Sequence, residues 1–354
     1  MIMVNPLLGI LLHAMGATSA AVCYTPQKRV KGWSWQTYWI TQAVFCWLLL
    51  PIIGACLTIP HLAQVLREAP HDAMIRSFLL GAAYGVGGTA FGLAIRHIGF
   101  SLTYALAIGL SSVLGTLLPP LVRGEFMELL AKTGAGWVMA GIVIGTAGIF
   151  LCGLSGRLKE IDLAGDATRS DFRLSKGLPL CLLAGVLSAV YGFALEAGAP
   201  IARVAEAHGA GYFNGNVTYI FANSGAFMTT MAYCLWLSLK YKSFGEFVRL
   251  PAGLGRDTLM KNVGLAVLTG CLWYGQFFFY NLGHVRMGTF KFTSWAIHMI
   301  MLVLISNALG LALREWRGCK SRTWLALGVS LTLLVSSVLL LTYGNYLGDL
   351  AAGH

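Results

Sequence analysis

The sequence predicts an all-α integral membrane protein whose ten transmembrane helices form two inverted five-helix repeats. Of its 354 residues, 57% are hydrophobic and only 11% are charged, whereas a soluble domain carries about a quarter charged residues. The apolar residues come in blocks of about 20, the length at which a helix crosses a bilayer. The 43 glycines fit this fold class, because small residues let membrane helices approach closely.

Ten apolar blocks follow one another along the chain. The predicted spans cover residues 6–24, 38–59, 76–95, 100–120, 137–154, 177–197, 214–238, 262–282, 292–312 and 323–344. The prolines Pro51, Pro119 and Pro120 fall near span ends, where the backbone groups that they leave unpaired can find other partners. We expect residues 6–24 to be a retained first helix rather than a signal peptide, because no basic residue precedes Lys28.

Lysine and arginine are distributed unevenly among the connections between these spans. Of the 25 such residues, 18 lie in or beside the odd-numbered connections and 7 in the even-numbered ones. Cytoplasmic loops carry the excess of basic residues, so the odd connections are predicted to be cytoplasmic. With ten spans, both termini then lie on the outer side.

Short motifs recur in corresponding spans of the two halves. The first span has Gly16-x-x-Ser19-Ala20 and the sixth has Gly185-x-x-Ser188-Ala189. The third has Tyr84-Gly85 followed, after ten intervening residues, by Arg96, and the eighth has Tyr274-Gly275 and Arg286 at the same spacing. We therefore predict an N-terminal repeat at 1–156, a cytoplasmic linker at 157–176 and a C-terminal repeat at 177–354. Repeats with an odd number of spans insert in opposite directions, an arrangement typical of secondary transporters with a site between the halves.

Few ionisable side chains fall inside the predicted spans, and such groups mark functional sites by default. His13, Glu196 and His298 lie within spans, whereas Arg96, His284 and Arg286 lie near span ends. The predicted orientation puts His13, His298 and Gln276 at similar depths, from the midplane to the outer face. We expect them to converge on one chamber between the halves, where His13, Gln276 and His298 bind substrate hydroxyls or hold the proton.

The eighth span carries a stripe of aromatic and polar side chains. At about 100° per residue, one helix face collects Trp273, Gln276, Phe277, Tyr280 and His284. Aromatic rings pack on the C–H faces of a sugar, and amide and imidazole groups hydrogen-bond its hydroxyls, so the stripe suits a ligand with one apolar face and one polar edge. The alternative is a helix-packing face, an interpretation that suits the phenylalanines well.

The remaining polar residues allow more than one interpretation. Asn223 in the seventh span either joins the binding site or bridges helices, and Arg96, His284 and Arg286 are assigned to the interface or to gating. Glu196, His13 and His298 are candidates for proton coupling, because low polarity raises a carboxyl pKa and imidazole titrates near neutrality. Glu196 lies late in its span, so it is alternatively an exposed carboxylate at the outer rim.

Other function classes are disfavoured by the sequence. Basic residues in loops explain the net charge of +11, so no nucleic-acid partner is expected. The eight cysteines form no C-x-x-C pair, so we expect them to be small buried apolar residues and not metal ligands. An intramembrane enzyme is disfavoured because the chain has no H-E-x-x-H, no G-x-S-x-G and no pair of carboxylates within the spans.

Several motifs together resemble the L-rhamnose–proton symporter family of the drug/metabolite transporter superfamily. These are WYGQFFFYNLGHVR at 273–286, SWAIHM at 294–299 and GTLLPPLVRGEF at 115–126, and the resemblance covers essentially the whole chain. It implies ten helices in the bacterial inner membrane and uptake of L-rhamnose with a proton, and it implies no cofactor. With the orientation given above, both termini are then periplasmic, and membrane lipid surrounds the helices. The family-like positions are His13, Arg96, Trp273, Gln276, Tyr280, His284, Arg286, Trp295 and His298.

Two stretches depart from the family pattern near the expected site. ALEAGAP at 194–200 carries Glu196, and MGTFKFT at 287–293 carries Lys291. The first departure gives the histidines more weight as proton carriers, and both leave another deoxy sugar or aldose open as the substrate. The other functional alternatives are an exporter of a different small solute, a sugar sensor without transport, and an intramembrane enzyme.

Overall fold

A computed structural model describes residues 5–23, 25–98, 100–164, 174–249 and 254–353. In this part of the chain all regular structure is helical and no strand occurs, which confirms the predicted all-α class. Eight of its helices are long and apolar enough to cross a membrane. The protein is therefore a multi-pass membrane protein.

Fourteen α-helices are present in the described residues of the chain. The first seven are α1 (Pro6–Val22), α2 (Trp35–Ala43), α3 (Leu50–Thr58), α4 (Leu62–Glu68), α5 (His71–Ile98), α6 (Phe100–Val122) and α7 (Phe126–Leu130). The second seven are α8 (Ala135–Ala164), α9 (Leu174–Ala197), α10 (Ala199–Ala207), α11 (Asn216–Tyr241), α12 (Arg256–His284), α13 (Ser294–Ala312) and α14 (Ser321–Ala351). A π-helical segment, Val44–Leu49, joins α2 to α3.

Each of the ten predicted spans coincides with a long helix or a continuous run of helices. The eight candidates for crossing the membrane are Trp35–Thr58, His71–Ala94, Leu102–Val122, Ala135–Leu163, Ser175–Ala207, Arg256–His284, Gly288–Ala312 and Ser321–Ala351. The helix α1 is apolar but has only 17 residues, and α11 falls outside the eight. That these two also cross the membrane stays a prediction.

The chain folds into two compact units. The first unit comprises Met1–Thr18, Gly87–Gly192 and Leu282–His354, and the second comprises Ser19–Val86 and Phe193–Asn281. Each unit therefore combines segments from the N-terminal and C-terminal parts of the sequence, and each is described by itself below.

In the first unit, α8 and α14 pack closely along glycines. A methyl group at Gly141 or Gly145 of α8 would overlap side chains of α14. The Ser337 hydroxyl of α14 donates to the Gly141 carbonyl oxygen at 2.6 Å. Because hydrocarbon offers no other partner to a serine hydroxyl, this hydrogen bond fixes the pairing of the two helices.

In the second unit, α5 and α11 cross with their backbones in contact. A methyl group at Gly81 would overlap the carbonyl oxygen of Ala222, and one at Gly225 would overlap that of Phe78. The Thr229 hydroxyl donates to the Ala82 carbonyl oxygen at 3.0 Å across the same crossing. Small residues therefore determine where the two helices meet.

The π-helical segment of the second unit has an identifiable cause in the sequence. The Leu50 N–H donates to the Phe45 carbonyl five residues back, the spacing of a π-turn. Pro51 follows, and proline has no N–H to donate while its ring crowds the carbonyl four residues earlier, here that of Trp47. The widened turn accommodates this carbonyl without breaking the helix.

In the same unit, α4 and α10 are joined by a hydrogen bond between side chains. His208 Nε2 lies 2.8 Å from a carboxylate oxygen of Glu68, and Gln64 donates to the other oxygen at 2.8 Å. These hydrogen bonds, with that of His208 the stronger, lower the pKa of the exposed Glu68 carboxyl below its ordinary value. The pair holds the connections after the second and sixth predicted spans together.

Candidate functional site

Four of the five residues of the predicted α12 stripe are buried within the second unit, and the fifth, His284, belongs to the first. Trp273, Gln276, Phe277 and Tyr280 are each 4–7% exposed. Two hydrogen bonds to backbone carbonyls position this part of α12: the Tyr219 hydroxyl donates to Phe277 at 2.9 Å, and the Ser19 hydroxyl donates to Leu272 at 2.7 Å. The helical periodicity therefore identified a buried face, as expected.

Aromatic rings from three segments of the chain meet at Trp273. The Trp47 ring from the π-helical segment lies 5.1 Å from it at an interplanar angle of 82°, and the Tyr84 ring from α5 lies 6.4 Å away at 39°. Trp47 and Tyr84 also contact each other, at 6.3 Å and 71°. We call Trp47, Tyr84 and Trp273 the three-ring cluster.

Beside this cluster, the Gln276 side chain is 7% exposed. Within the described residues its amide has no hydrogen-bond partner. An amide has both a donor and an acceptor to offer a ligand that reaches it. The ligand-binding interpretation of Gln276 stays a prediction.

The neighbouring phenylalanines have packing roles. The Phe277 ring lies 4.7 Å from that of Trp273 and 6.0 Å from that of Tyr219. Phe278 packs on Phe213 at 5.9 Å. The alternative left open for these residues, a helix-packing face, therefore describes their contacts.

Two further predicted residues lie in the second unit. Asn223 is completely buried in α11, one residue after the Ala222 carbonyl that meets Gly81. Glu196 is half-buried and lies one residue before the C-terminal end of α9. Both remain candidates for the roles that the sequence left open.

In the first unit, two of the predicted histidines come together. His13 of α1 is 0% exposed and His298 of α13 is 2% exposed, and their ring centroids lie 6.1 Å apart at 70°. Gly9 and Gly283 bring α1 against the end of α12, and a methyl group at Gly283 would meet the His13 ring at about 3 Å. The glycines thereby let the imidazole of His13 lie against the backbone.

Trp295 of α13, one of the family-like positions, has a structural role in the first unit. Its indole N–H donates to the carbonyl oxygen and the hydroxyl oxygen of Ser111 at 3.1 and 3.2 Å. The Ser111 hydroxyl in turn donates to that of Ser188 at 2.9 Å. Residues of α6, α9 and α13 are thus linked through one serine.

The three residues assigned to the interface or to gating also belong to the first unit. Arg286 donates from Nη1 to the Leu282 carbonyl at 2.6 Å, and its own carbonyl accepts from the Asn5 N–H at 3.1 Å. It therefore caps the C-terminal end of α12, which fits an anchoring role. His284 is the half-buried last residue of α12. The Arg96 side chain lies outside the described part of the chain.

The residues expected to converge on one chamber are divided between the two units. His13 and His298 are neighbours in the first unit, and Trp273, Gln276 and Tyr280 share a buried helix face in the second. The convergence of Gln276 with the two histidines on one chamber stays a prediction. Among the described residues, no group of three His, Cys, Asp or Glu side chains is placed to hold a metal ion.

Sequence reasoning missed several residues at these places. Trp47 and Tyr84 carry no charge and lie in ordinary apolar blocks, although Tyr84 belongs to the repeated Tyr-Gly motif. Asp349, 4% exposed near the end of α14, was also missed; its Oδ1 accepts from the Thr289 N–H at 2.7 Å. Gly288, which precedes Thr289, has φ +59°, and a side chain at Gly288 would overlap the Asp349 carboxylate.

Comparisons with known proteins agree over nearly the full chain. The family model described as L-rhamnose-proton symport protein (RhaT) matches residues 3–345. The L-rhamnose-proton symporter of Mannheimia succiniciproducens is 34% identical over 96% of this chain and 98% of its own length, and that of Cronobacter sakazakii is 33% identical over 94% and 96%. That of Escherichia coli is 32% identical over the same shares.

A solved structure also has a similar fold. It is described as "Crystal structure of protein", and it aligns with a TM-score of 0.52 and 16% identity over 94% of each chain. At that identity the likeness concerns the fold alone.

Proposed function

The chain belongs to the L-rhamnose-proton symport protein family, and from that premise we propose that it imports L-rhamnose, or a closely related deoxy sugar, together with a proton. The observation that carries this function is the family match over residues 3–345. Because the family consists of symporters, the protein is a transporter and not an enzyme.

The α12 face of the second unit is the proposed sugar-binding surface. Trp273 and Tyr280 provide buried aromatic rings for the C–H faces of a pyranose, and the unpaired Gln276 amide provides a donor and an acceptor for hydroxyls. Aromatic surfaces with a few placed polar groups are typical of small-molecule sites. Asn223 is assigned to the same site as a further amide.

The His13–His298 pair of the first unit is the proposed proton carrier. Two imidazolium rings with centroids 6.1 Å apart would repel each other at low dielectric, so the pair holds one proton at a time. Glu196 is the competing candidate, because it is an ionisable residue at the end of a span. With one proton per sugar, a membrane potential contributes about 2.3 kcal/mol per 100 mV, or about fiftyfold accumulation.

Two features support ten spans in inverted repeats at 1–156 and 177–354. The boundaries between the two units cut α1, α5, α9 and α12, which are the first and third predicted spans of each half. In the second unit, Gly81 of α5 lies against α11, and Gly270 of α12 lies against Phe45 of the π-helical segment. The third span of each half thus packs on the second span of the other half.

The proposed topology follows from the basic residues. With 18 of 25 Lys and Arg in or beside odd connections, those connections face the cytoplasm and both termini face the periplasm of a bacterial inner membrane. The inverted repeats then alternate between outward-open and inward-open forms, and the proton stabilises the outward-open form that receives the sugar.

Uptake into proteoliposomes tests this function. Purified protein is reconstituted, an inward-directed proton gradient is imposed, and labelled L-rhamnose is measured inside the vesicles, with protein-free liposomes as the control. We expect accumulation that a protonophore abolishes.

Three other results would contradict parts of the proposal. Uptake that is insensitive to the protonophore would remove the coupling to protons. Accumulation of a different deoxy sugar but not of L-rhamnose would correct the substrate. Net efflux driven by an inward proton gradient would identify an exporter.

A further inference from the structure

We propose that Trp47 is a sugar-binding residue that donates its indole N–H to one hydroxyl of the substrate, which packs against the three-ring cluster. This inference rests on the proposed function, and it adds a specificity-determining residue to it. The resemblance to known symporters did not single out Trp47, and the helical stripe of α12 does not contain it.

The first observation is the unusual backbone beneath Trp47. The π-helical segment Val44–Leu49 has Trp47 as its fourth residue. Such single turns inside α-helices are frequent at functional sites, because the extra residue re-aims a side chain. Here Pro51 removes the hydrogen bond that would otherwise reach the Trp47 carbonyl, so the local sequence itself maintains the turn.

The second observation is the state of the indole N–H. Trp47 is 2% exposed, and among the described residues its Nε1 has no hydrogen-bond partner. By contrast, the indole of Trp33 donates to the Glu246 carbonyl at 2.8 Å, and that of Trp295 donates to Ser111. A buried donor without a partner costs about 1–3 kcal/mol, a cost that a bound acceptor removes.

The third observation is the arrangement of the rings. Trp47 stands nearly perpendicular to Trp273 at 5.1 Å, whereas Tyr84 and Trp273 lie within 39° of each other. With centroids 5.1, 6.3 and 6.4 Å apart, the three rings pack on one another, so the sugar lies against the cluster and not between its rings. The indole N–H of Trp47 then requires an acceptor at the edge of that ligand.

The chemical class of the ligand follows from these groups. The three rings carry no charge, and the nearest polar group on the α12 stripe is the neutral Gln276 amide. A neutral pyranose with C–H faces and hydroxyl edges matches the cluster, because a hydroxyl oxygen accepts from an indole N–H. A charged solute would lack a counter-charge there.

Binding measurements with the Trp47→Phe variant test the inference. The substitution keeps an aromatic ring and deletes the N–H. The probes are L-rhamnose and a set of L-rhamnose derivatives that each lack one hydroxyl, titrated into detergent-solubilised wild-type and variant protein by calorimetry. The matched control is Trp39→Phe, because Trp39 is a buried tryptophan of α2 that stacks on Trp35 at 5.0 Å.

We expect the L-rhamnose Kd of Trp47→Phe to rise about tenfold or more, since one hydroxyl loses its donor. One monodeoxy sugar should bind wild type correspondingly weakly and lose no further affinity in the variant, whereas Trp39→Phe should bind every sugar as wild type does. Equal weakening of all sugars, or an unchanged Kd for L-rhamnose, would overturn the inference.

A second variant covers the case in which Trp47→Phe fails to fold. Pro51→Ala restores the backbone N–H, so the π-turn can return to α-helical hydrogen bonding and re-aim Trp47 without changing it. We expect the same selective loss of affinity, and wild-type affinity in a folded Pro51→Ala protein would contradict the role of the turn. If wild type binds no L-rhamnose at all, the proposed function itself fails.

Discussion

Gln276 is the residue on which sugar recognition depends most directly. Its side chain is 7% exposed and has no hydrogen-bond partner among the described residues. An unpaired amide contributes little to the stability of the sugar-free protein, because no protein hydrogen bond is lost when it is removed. Binding and stability should therefore respond differently to its removal.

The Gln276→Ala variant should lose L-rhamnose binding, with a Kd at least about tenfold weaker, because the sugar hydroxyls lose a donor and an acceptor. Its unfolding temperature without sugar should stay close to that of wild type. Calorimetric titration and thermal unfolding in detergent measure the two quantities. Gln64→Ala is the control, since Gln64 is exposed and pairs with Glu68. Wild-type affinity in Gln276→Ala would remove the assigned role.

At the level of single residues, helical periodicity predicted which side chains share one face of a helix, but not which residues of other segments they contact. The stripe from Trp273 to Tyr280 was predictable because a helix repeats every 3.6 residues. Trp47 was not, because its position depends on a π-turn that Pro51 produces. The contact of His13 with His298 joins helices at opposite ends of the chain, and no local spacing encodes it.

Among the elements, the crossing of α5 and α11 determines where Tyr84 lies, because Gly81 and Gly85 flank it on α5. Gly225 of α11 touches the Phe78 carbonyl of α5, so that a methyl group has no room there. Side-chain rearrangement cannot relieve an overlap with the backbone. The crossing is thus sensitive to the smallest substitution that adds a side-chain carbon.

Gly225→Ala should lower the thermal stability of the protein and weaken L-rhamnose binding together, because α5 and α11 must separate and carry Tyr84 with them. The matched control is Gly264→Ala in α12, where an added methyl group has no atom within 4 Å. That change should leave stability unchanged or raise it slightly, since alanine favours helix by about 1 kcal/mol over glycine. Thermal unfolding with and without L-rhamnose measures both effects. Equal thermal stability of the two variants would contradict the close backbone contact of α5 and α11 at Gly225.

At the scale of the whole molecule, the coupling of sugar to proton can be separated from sugar transport itself. Exchange of labelled for unlabelled L-rhamnose across the membrane needs the sugar site and the conformational change, but it needs no net proton movement. Uphill accumulation needs the sugar site, the conformational change and net proton movement. The two assays therefore distinguish a proton carrier from a sugar ligand.

His13→Asn and His298→Asn should each abolish accumulation in proteoliposomes while exchange continues, because asparagine keeps a polar side chain that cannot carry the proton. Glu196→Gln serves as the comparison and should retain accumulation. If Glu196→Gln shows the uncoupled behaviour and the histidine variants do not, the proton role passes to Glu196. Loss of exchange in the histidine variants would assign these residues to sugar binding instead.

The long helices and the family were predictable from the sequence, because block length and motif order are properties of the sequence alone, whereas the short helices α4, α7 and α10 lie outside the predicted spans. The division into two units was not: it cuts α1, α5, α9 and α12 within helices, where the sequence has no linker. The sequence suggested a boundary at residues 157–176 because polarity and length mark a connection. Packing between distant segments depends instead on where glycines such as Gly81 and Gly270 let helices approach closely.

The turn before Pro51 has an evolutionary consequence. In the role proposed for Trp47, the orientation of its ring depends on Pro51, four positions later. Substitution of Pro51, which does not contact the sugar, can therefore change sugar specificity during evolution. Homologues with identical sugar-contacting residues can then differ in sugar specificity through a single substitution at the position of Pro51.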